Sequence, residues 1–146
     1  RFDLTCINEK GEKERIVMIH AAIMGSIERF MSILIEHTAG AFPLWLSPIQ
    51  VAITPVSEKQ KEYAESIYKI LKENNIRVKL DDSNESLGKR IRGAKLNKIP
   101  YVVVIGDKER DAKTVTVETR TEKLEGITLE FFLEKLNKEI KDRTLN

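Results

Sequence analysis

Cysteine is nearly absent, with Cys6 alone among 146 residues. One thiol excludes an internal disulfide framework and fits a reducing cytosol. Long apolar runs are missing too, because charge or proline interrupts each one before it could span a bilayer. The opening RFDLTCINEK has neither the apolar segment of a signal peptide nor an initiator methionine, so the chain is expected to be part of a longer one. No sign of charge dominates: the formal net charge of +2 is too small to imply nucleic-acid binding, which local clustering must argue instead. Internal repeats and low-complexity tracts are also absent. With 41% apolar and 33% charged residues, the composition supports a packed core and excludes wholesale disorder.

The pattern begins as a hairpin. LTCI, a polar NEKGEKE turn and RIVMIHAAI follow one another, and the second segment is apolar on both faces, as a central strand with a buried His20 would be. At Gly25-Ser26 the chain turns, and the Ser26 hydroxyl can accept from the first amides of a helix. Ile27, Phe30, Met31, Leu34 and Ile35 recur at helical spacing until Gly40 and Pro43 stop the helix. FPLWLSP then reads as an extended, apolar connector, which sets a boundary near Ser47 between residues 1–46 and 47–146.

Beyond it, strand and helix alternate. QVAITPV is a buried strand, and Ser57 to Gln60 has capping-box spacing before a helix that buries Tyr63, Ala64, Ile67, Ile70 and Leu71. IRVKL is a second strand, DDSNE a turn, and Ser86 to Asn97 a second helix. PYVVVI is a fully covered third strand, GDKERDAK a polar turn, and TVTVET an antiparallel neighbour. A brief fifth strand lies around Leu124, and Thr128 caps a final helix carrying Leu129, Phe132, Leu133, Leu136 and Ile140 on one stripe. The fold class is therefore α/β, a mixed, mainly parallel sheet flanked by three helices and preceded by an antiparallel hairpin and helix.

Candidate chemistry is sparse on spacing alone. His20 reads as a core histidine with a hydrogen-bonded ring rather than as a metal ligand, since one histidine with one distant cysteine is not a zinc signature. Arg29 reads as a solvated helix arginine paired with Glu28 or Glu36. Between Gly88 and Lys98 lie Lys89, Arg90, Arg92, Lys95 and Lys98 without an acid, either a solvated face or a track for an RNA backbone. Asn84, just before, carries both donor and acceptor for an unstacked base. TPVSEKQ contains no glycine fingerprint or P-loop, which argues against a dinucleotide-binding enzyme.

HxAxxGSxERF followed by EHxAGxFPxWLxPxQV, over residues 20–51, resembles motif 3 of class II aminoacyl-tRNA synthetases in the threonyl form. NExLGxxIRxAxLxxIPYxxVIGDKE resembles the anticodon-binding domain shared by the threonyl, prolyl, glycyl and histidyl enzymes. The resemblance implies a catalytic-domain remnant in residues 1–46 and an anticodon-binding domain in 47–146. It also implies that the full enzyme adenylates threonine with ATP and Mg²⁺, transfers it to tRNA, and works as a cytoplasmic homodimer.

The same resemblance assigns roles. His20 would be one of three protein ligands of a Zn²⁺ whose open position takes the amino and hydroxyl groups of threonine, the polar kind of discrimination that rejects valine. The other two ligands lie outside this chain, and Cys6 does not match them. Arg29 would meet ATP, Gly25 would let the backbone approach it, and Ser26 would lie beside the amino-acid pocket. Asn84 would contact the anticodon, and Lys89, Arg92, Lys98, Glu109, Glu118 and Arg120 would lie along the RNA. Two positions depart from the family pattern: Glu118 and Ser83 stand where basic residues are frequent, and an acid at 118 would repel phosphate. The isolated chain is expected not to aminoacylate. The competing reading is a free-standing RNA-binding or protein-interaction module built on the same fold.

Overall fold

A computed structural model describes residues 2–22 and 24–145. The chain divides into two compact units, Arg1–Ile33 and Leu34–Asn146.

In the first unit, strands β1 (Thr5–Ile7) and β2 (Lys13–Arg15) pair antiparallel, with Thr5 opposite Arg15. Asn8 makes the turn, its side-chain oxygen accepting from the amides of Lys10 and Glu12, both at 3.0 Å. The expected long second strand is corrected. Its last backbone bond runs from the Ile16 amide to the Leu4 carbonyl, and residues 17–22 form no strand and lie exposed, His20 among them. A strand apolar on both faces needs neighbours on both edges and a layer on each side. Among the described residues β2 has only β1, so nothing covers the apolar run. Helix α1 (Ile27–Thr38), which begins in this unit and continues past its end at Ile33, forms as its periodicity requires, yet none of its residues is buried. It ends in two left-handed residues, Ala39 and Gly40, at φ 49° and 74°.

The second unit is organised by a five-stranded sheet in the order β4-β3-β5-β6-β7. Strands β3 (Val51–Pro55), β4 (Val78–Leu80) and β5 (Tyr101–Ile105) are parallel, while β6 (Thr114–Glu118) pairs antiparallel with β5 and β7 (Lys123–Thr128) antiparallel with β6. Alternation along the strands decides the layers. Val51, Ile53, Tyr101, Val103, Ile105, Val115 and Val117 pack with Ala64, Ile67 and Leu71 of α2 (Lys61–Glu73) and with Phe132 and Leu136 of α5 (Leu129–Asp142). Ala52 and Val102 face the other way and pack with Ala94 of α3 (Leu87–Leu96). Full burial of each large side chain here, such as Phe132 or Leu71, stabilises the unit by roughly 1.5–3 kcal/mol.

Polar contacts fix the remaining geometry. Gln60 closes the expected capping box, its Oε1 accepting from the Ser57 amide at 2.9 Å, and its Nε2 donates to Asp107 at 2.6 Å. The Thr128 hydroxyl accepts from the Phe131 amide, which caps α5 as its sequence foretells. Tyr101 donates its hydroxyl to Glu139 at 2.7 Å, and burial, reinforced by that carboxylate, pushes the phenol pKa up.

Three expectations change in this unit. GDKERDAK is not a turn but contains helix α4 (Asp107–Ala112), a fourth helix beside the sheet. FPLWLSP is not extended: the amides of Leu46 and Ser47 return to the Pro43 carbonyl, both at 3.0 Å. That turn is held by Gln50, which donates to Leu44 O, and by Arg77, which donates to the carbonyls of Trp45 and Ser47, each at 2.9 Å. Ile70 of α2 is exposed because the buried stripe follows Ala64, Ile67 and Leu71.

Candidate nucleic-acid interface

The basic run divides by environment, and helix geometry explains why. Arg90 falls on the inward face of α3 and is 7% exposed. Its Nη1 donates to Asp81 O at 3.0 Å and its Nη2 to Pro55 O at 2.8 Å, which ties the helix to the carboxyl ends of β3 and β4. It is a structural cation, its guanidinium committed to those two carbonyls and set into the fold. Lys89 bonds Glu85 at 2.6 Å. Arg92 is exposed and makes no ion pair among the described residues, and the same holds for Lys98. Lys98 sits just past the end of α3 at φ 56°, a left-handed position that α3 needs for its stop.

The cations that remain unpaired, Arg92 and Lys98, therefore lie along and beyond one exposed helix. Each end of α3 opens onto a cavity of about 320 Å³. The first lies outside the carboxyl ends of β3 and β4, and Ser57, Lys61, Asn84 and Arg90 help line it. Outside the carboxyl ends of parallel strands is where open α/β sheets characteristically take ligands. Asn84 is exposed there, and its side chain makes no hydrogen bond among the described residues. The second cavity is lined by Lys95, Lys98, Glu118 and Arg120.

Glu109, Glu118 and Arg120 are already engaged. Glu109 Oε2 accepts from the Gly106 amide at 2.9 Å and Oε1 from the Thr116 hydroxyl at 2.7 Å, so the carboxylate caps α4 and joins it to β6. Burial works against its ionisation, but those hydrogen bonds outweigh it and hold its pKa below the ordinary value. A Cβ at Gly106 would stand 3.0 Å from Oε2, a close approach. Arg120 donates to the carbonyls of Phe42 and Lys98, both at 2.8 Å, and more weakly to Ala41 O. Burial lowers its pKa. Glu118 meets Lys95 at 2.7 Å. The sequence pattern names Lys95 within the run but carries no sign of this partner, which lies on another element.

In the first unit, the Ser26 hydroxyl accepts from the Arg29 amide at 3.2 Å and donates to Glu28 at 2.9 Å, as a residue heading a helix should. Gly25 takes φ 66° at the turn. Arg29 is exposed, and neither Glu28 nor Glu36 pairs with it among the described residues. His20 is exposed, and no group of three His, Cys, Asp or Glu side chains among the described residues could hold a metal ion. The donor set here does not make a zinc site.

Comparison with known proteins bears on this arrangement. The family model for "Anticodon binding domain" matches residues 50–139. The chain is 51% identical over 98% of its length to a threonine–tRNA ligase of Clostridium tetani, and 50% identical over 99% to one of Caldanaerobacter subterraneus. It spans 22% and 23% of those two enzymes. Among solved structures, the RNA binding domain of threonyl-tRNA synthetase from Cryptosporidium parvum superposes with a TM-score of 0.75 at 37% identity, over 89% of this chain and 33% of that one. Prolyl-tRNA synthetase from the same organism gives 0.61 at 26% identity, over 68% and 22%. With the matched segment running from the residue before β3 into α5, the chain belongs to the anticodon binding domain family.

Proposed function

We propose that this chain works within a threonine–tRNA ligase, where residues 47–146 recognise the anticodon loop of tRNA(Thr) and residues 1–46 belong to the catalytic domain. The observation that carries the reading is the run of similarity to threonine–tRNA ligases over 98% of the chain, together with two exposed cations on and just past α3, Arg92 and Lys98, and an exposed Asn84 before it, none of the three side chains being bonded or ion-paired among the described residues. Arg92 and Lys98 track the RNA backbone by displacing its counterions. Asn84 offers its amide to the edge of an unstacked base. Lys89, held by Glu85, adds to the field. Glu109 and Arg120 set the shape of the surface through their hydrogen bonds, while Glu118 lines its wall.

The whole ligase, on this reading, is a cytoplasmic homodimer that adenylates threonine with ATP and Mg²⁺ and passes it to tRNA. Arg29 supplies a planar permanent cation for ATP, Gly25 permits close approach of the backbone, and Ser26 orders the start of α1 beside the amino acid. His20 alone does not constitute a zinc site among the described residues.

The test is fluorescence anisotropy with a tRNA(Thr) anticodon stem-loop across a salt series. Arg92→Ala and Lys98→Ala should each weaken binding and flatten the salt dependence by about 0.7 unit. Unchanged slopes would return the α3 cations to an ordinary solvated face. Aminoacylation by the isolated chain should be absent, and measurable turnover would overturn the assignment of residues 1–46 as an incomplete catalytic part.

A further inference from the structure

Glu118 is the acid that should not be there. A carboxylate on the wall of a cavity meant for RNA repels phosphate, unless a cation answers it. Lys95 does so at 2.7 Å, reaching across from α3 to β6. The two side chains are unequal: that of Glu118 is 21% exposed and that of Lys95 is 56% exposed. The acid is thus set into the strand layer, and the ammonium stands between it and solvent. An ammonium has three donors, so the ion pair with Glu118 leaves donors for another acceptor.

We propose that Lys95 and Glu118 act as a unit, Lys95 meeting a backbone phosphate of single-stranded RNA at this cavity and Glu118 acting as the positioning residue that holds its Nζ there. The inference rests on the anticodon-binding reading and deepens it at one site. A free lysine loses on the order of 1.5–2 kcal/mol of rotamer freedom when it is fixed. Here the ion pair has already fixed it, so binding the phosphate costs less ordering. Lys98 stands on the same cavity wall, and with Lys95, Arg120 and Glu118 the charged lining comes to three cations against one anion, a net of +2. A phosphate entering there meets positive charge despite the acid.

The pair makes a prediction of sign that simple repulsion does not. Stem-loop binding is measured by anisotropy across a salt series for the unaltered chain, Lys95→Ala, Glu118→Gln and the double variant, with thermal melts to confirm folding and Lys95→Arg as a charge-keeping control. Lys95→Ala should weaken binding about fivefold near 0.1 M salt and lower the slope by about 0.7. Glu118→Gln should weaken binding roughly twofold although it removes a negative charge, because it frees Lys95. In the Lys95→Ala background the same change should strengthen binding, since an unanswered acid is then removed. Lys95→Arg should keep most of the affinity.

Strengthening by Glu118→Gln in both backgrounds would overturn the positioning role, and an unaltered affinity in Lys95→Ala would overturn the phosphate contact. If Arg92→Ala and Lys98→Ala weaken binding while these variants do not, only this inference falls. Failure of all four to alter binding would remove the anticodon-binding reading with it.

Discussion

Lys98 allows stability and RNA affinity to be moved in opposite directions by one substitution. It occupies a left-handed conformation at φ 56°, where a side chain costs about 1–2 kcal/mol and glycine costs nothing. Its carbonyl, not its side chain, accepts the 2.8 Å bond from Arg120, so Lys98→Gly leaves that bracket in place. Part of the gain is lost to the greater freedom of glycine in the unfolded chain, which leaves a stabilisation of about 0.5–1 kcal/mol. For a chain of this size that raises the melting temperature by roughly 2–4 °C. The same change deletes one of the two α3-associated cations without an ion pair. Release of about 0.7 counterion per single-stranded phosphate corresponds to about fivefold in affinity near 0.1 M salt. The assay pairs a thermal melt with anisotropy on the anticodon stem-loop. A lower melting temperature, or an unchanged affinity and slope, would refute the separation of backbone stop from RNA contact.

Three further outcomes follow from contacts within the fold. Arg90→Met should cost about 3 kcal/mol in denaturant melts, because two charge-assisted bonds to Asp81 and Pro55 carbonyls are lost from a buried site, while the salt slope of folded protein at low temperature stays unchanged. Arg120→Lys keeps the charge but cannot bridge three carbonyls, so it should lower the melting temperature with little loss of slope; the reverse pattern would make Arg120 a phosphate contact. Glu109 has a folded pKa below its ordinary 4.5, so the stability it contributes is present above that value and disappears as pH falls through the lower folded one. Acid melts should therefore show Glu109→Gln losing less stability than the unaltered chain below pH 4.5, and parallel curves would contradict the capping role.

What could be read in the sequence was what local pattern determines. The strands 51–55 and 101–105, the stripe of α5 and the Thr128 cap all follow from apolar period and hydrogen-bonding side chains at fixed spacing. Helix α4 escaped because it has no apolar stripe; Asp107 is held by Gln60 from a distant loop, although the Gly106-to-Glu109 spacing carried a capping signal. Residues 17–22 show the opposite error, since a central-strand composition cannot make a strand without a partner on each edge. At the candidate interface, pattern located the cations but not their states. Whether Arg90 is buried, Lys95 is paired or Lys98 is free depends on what β3, β4 and β6 bring against α3. Charge alone could not sort them.

Sequence preference in the bound RNA is the most direct measurement of the central claim. Anisotropy titrations would compare a stem-loop carrying the GGU anticodon with one differing only in the middle base, at one fixed salt concentration, using the whole chain. Anticodon recognition predicts tighter binding to GGU by about 1–3 kcal/mol, the usual scale for one base contact. Equal affinity for the two loops would contradict it and leave a fold that binds RNA, or another protein, without reading the anticodon.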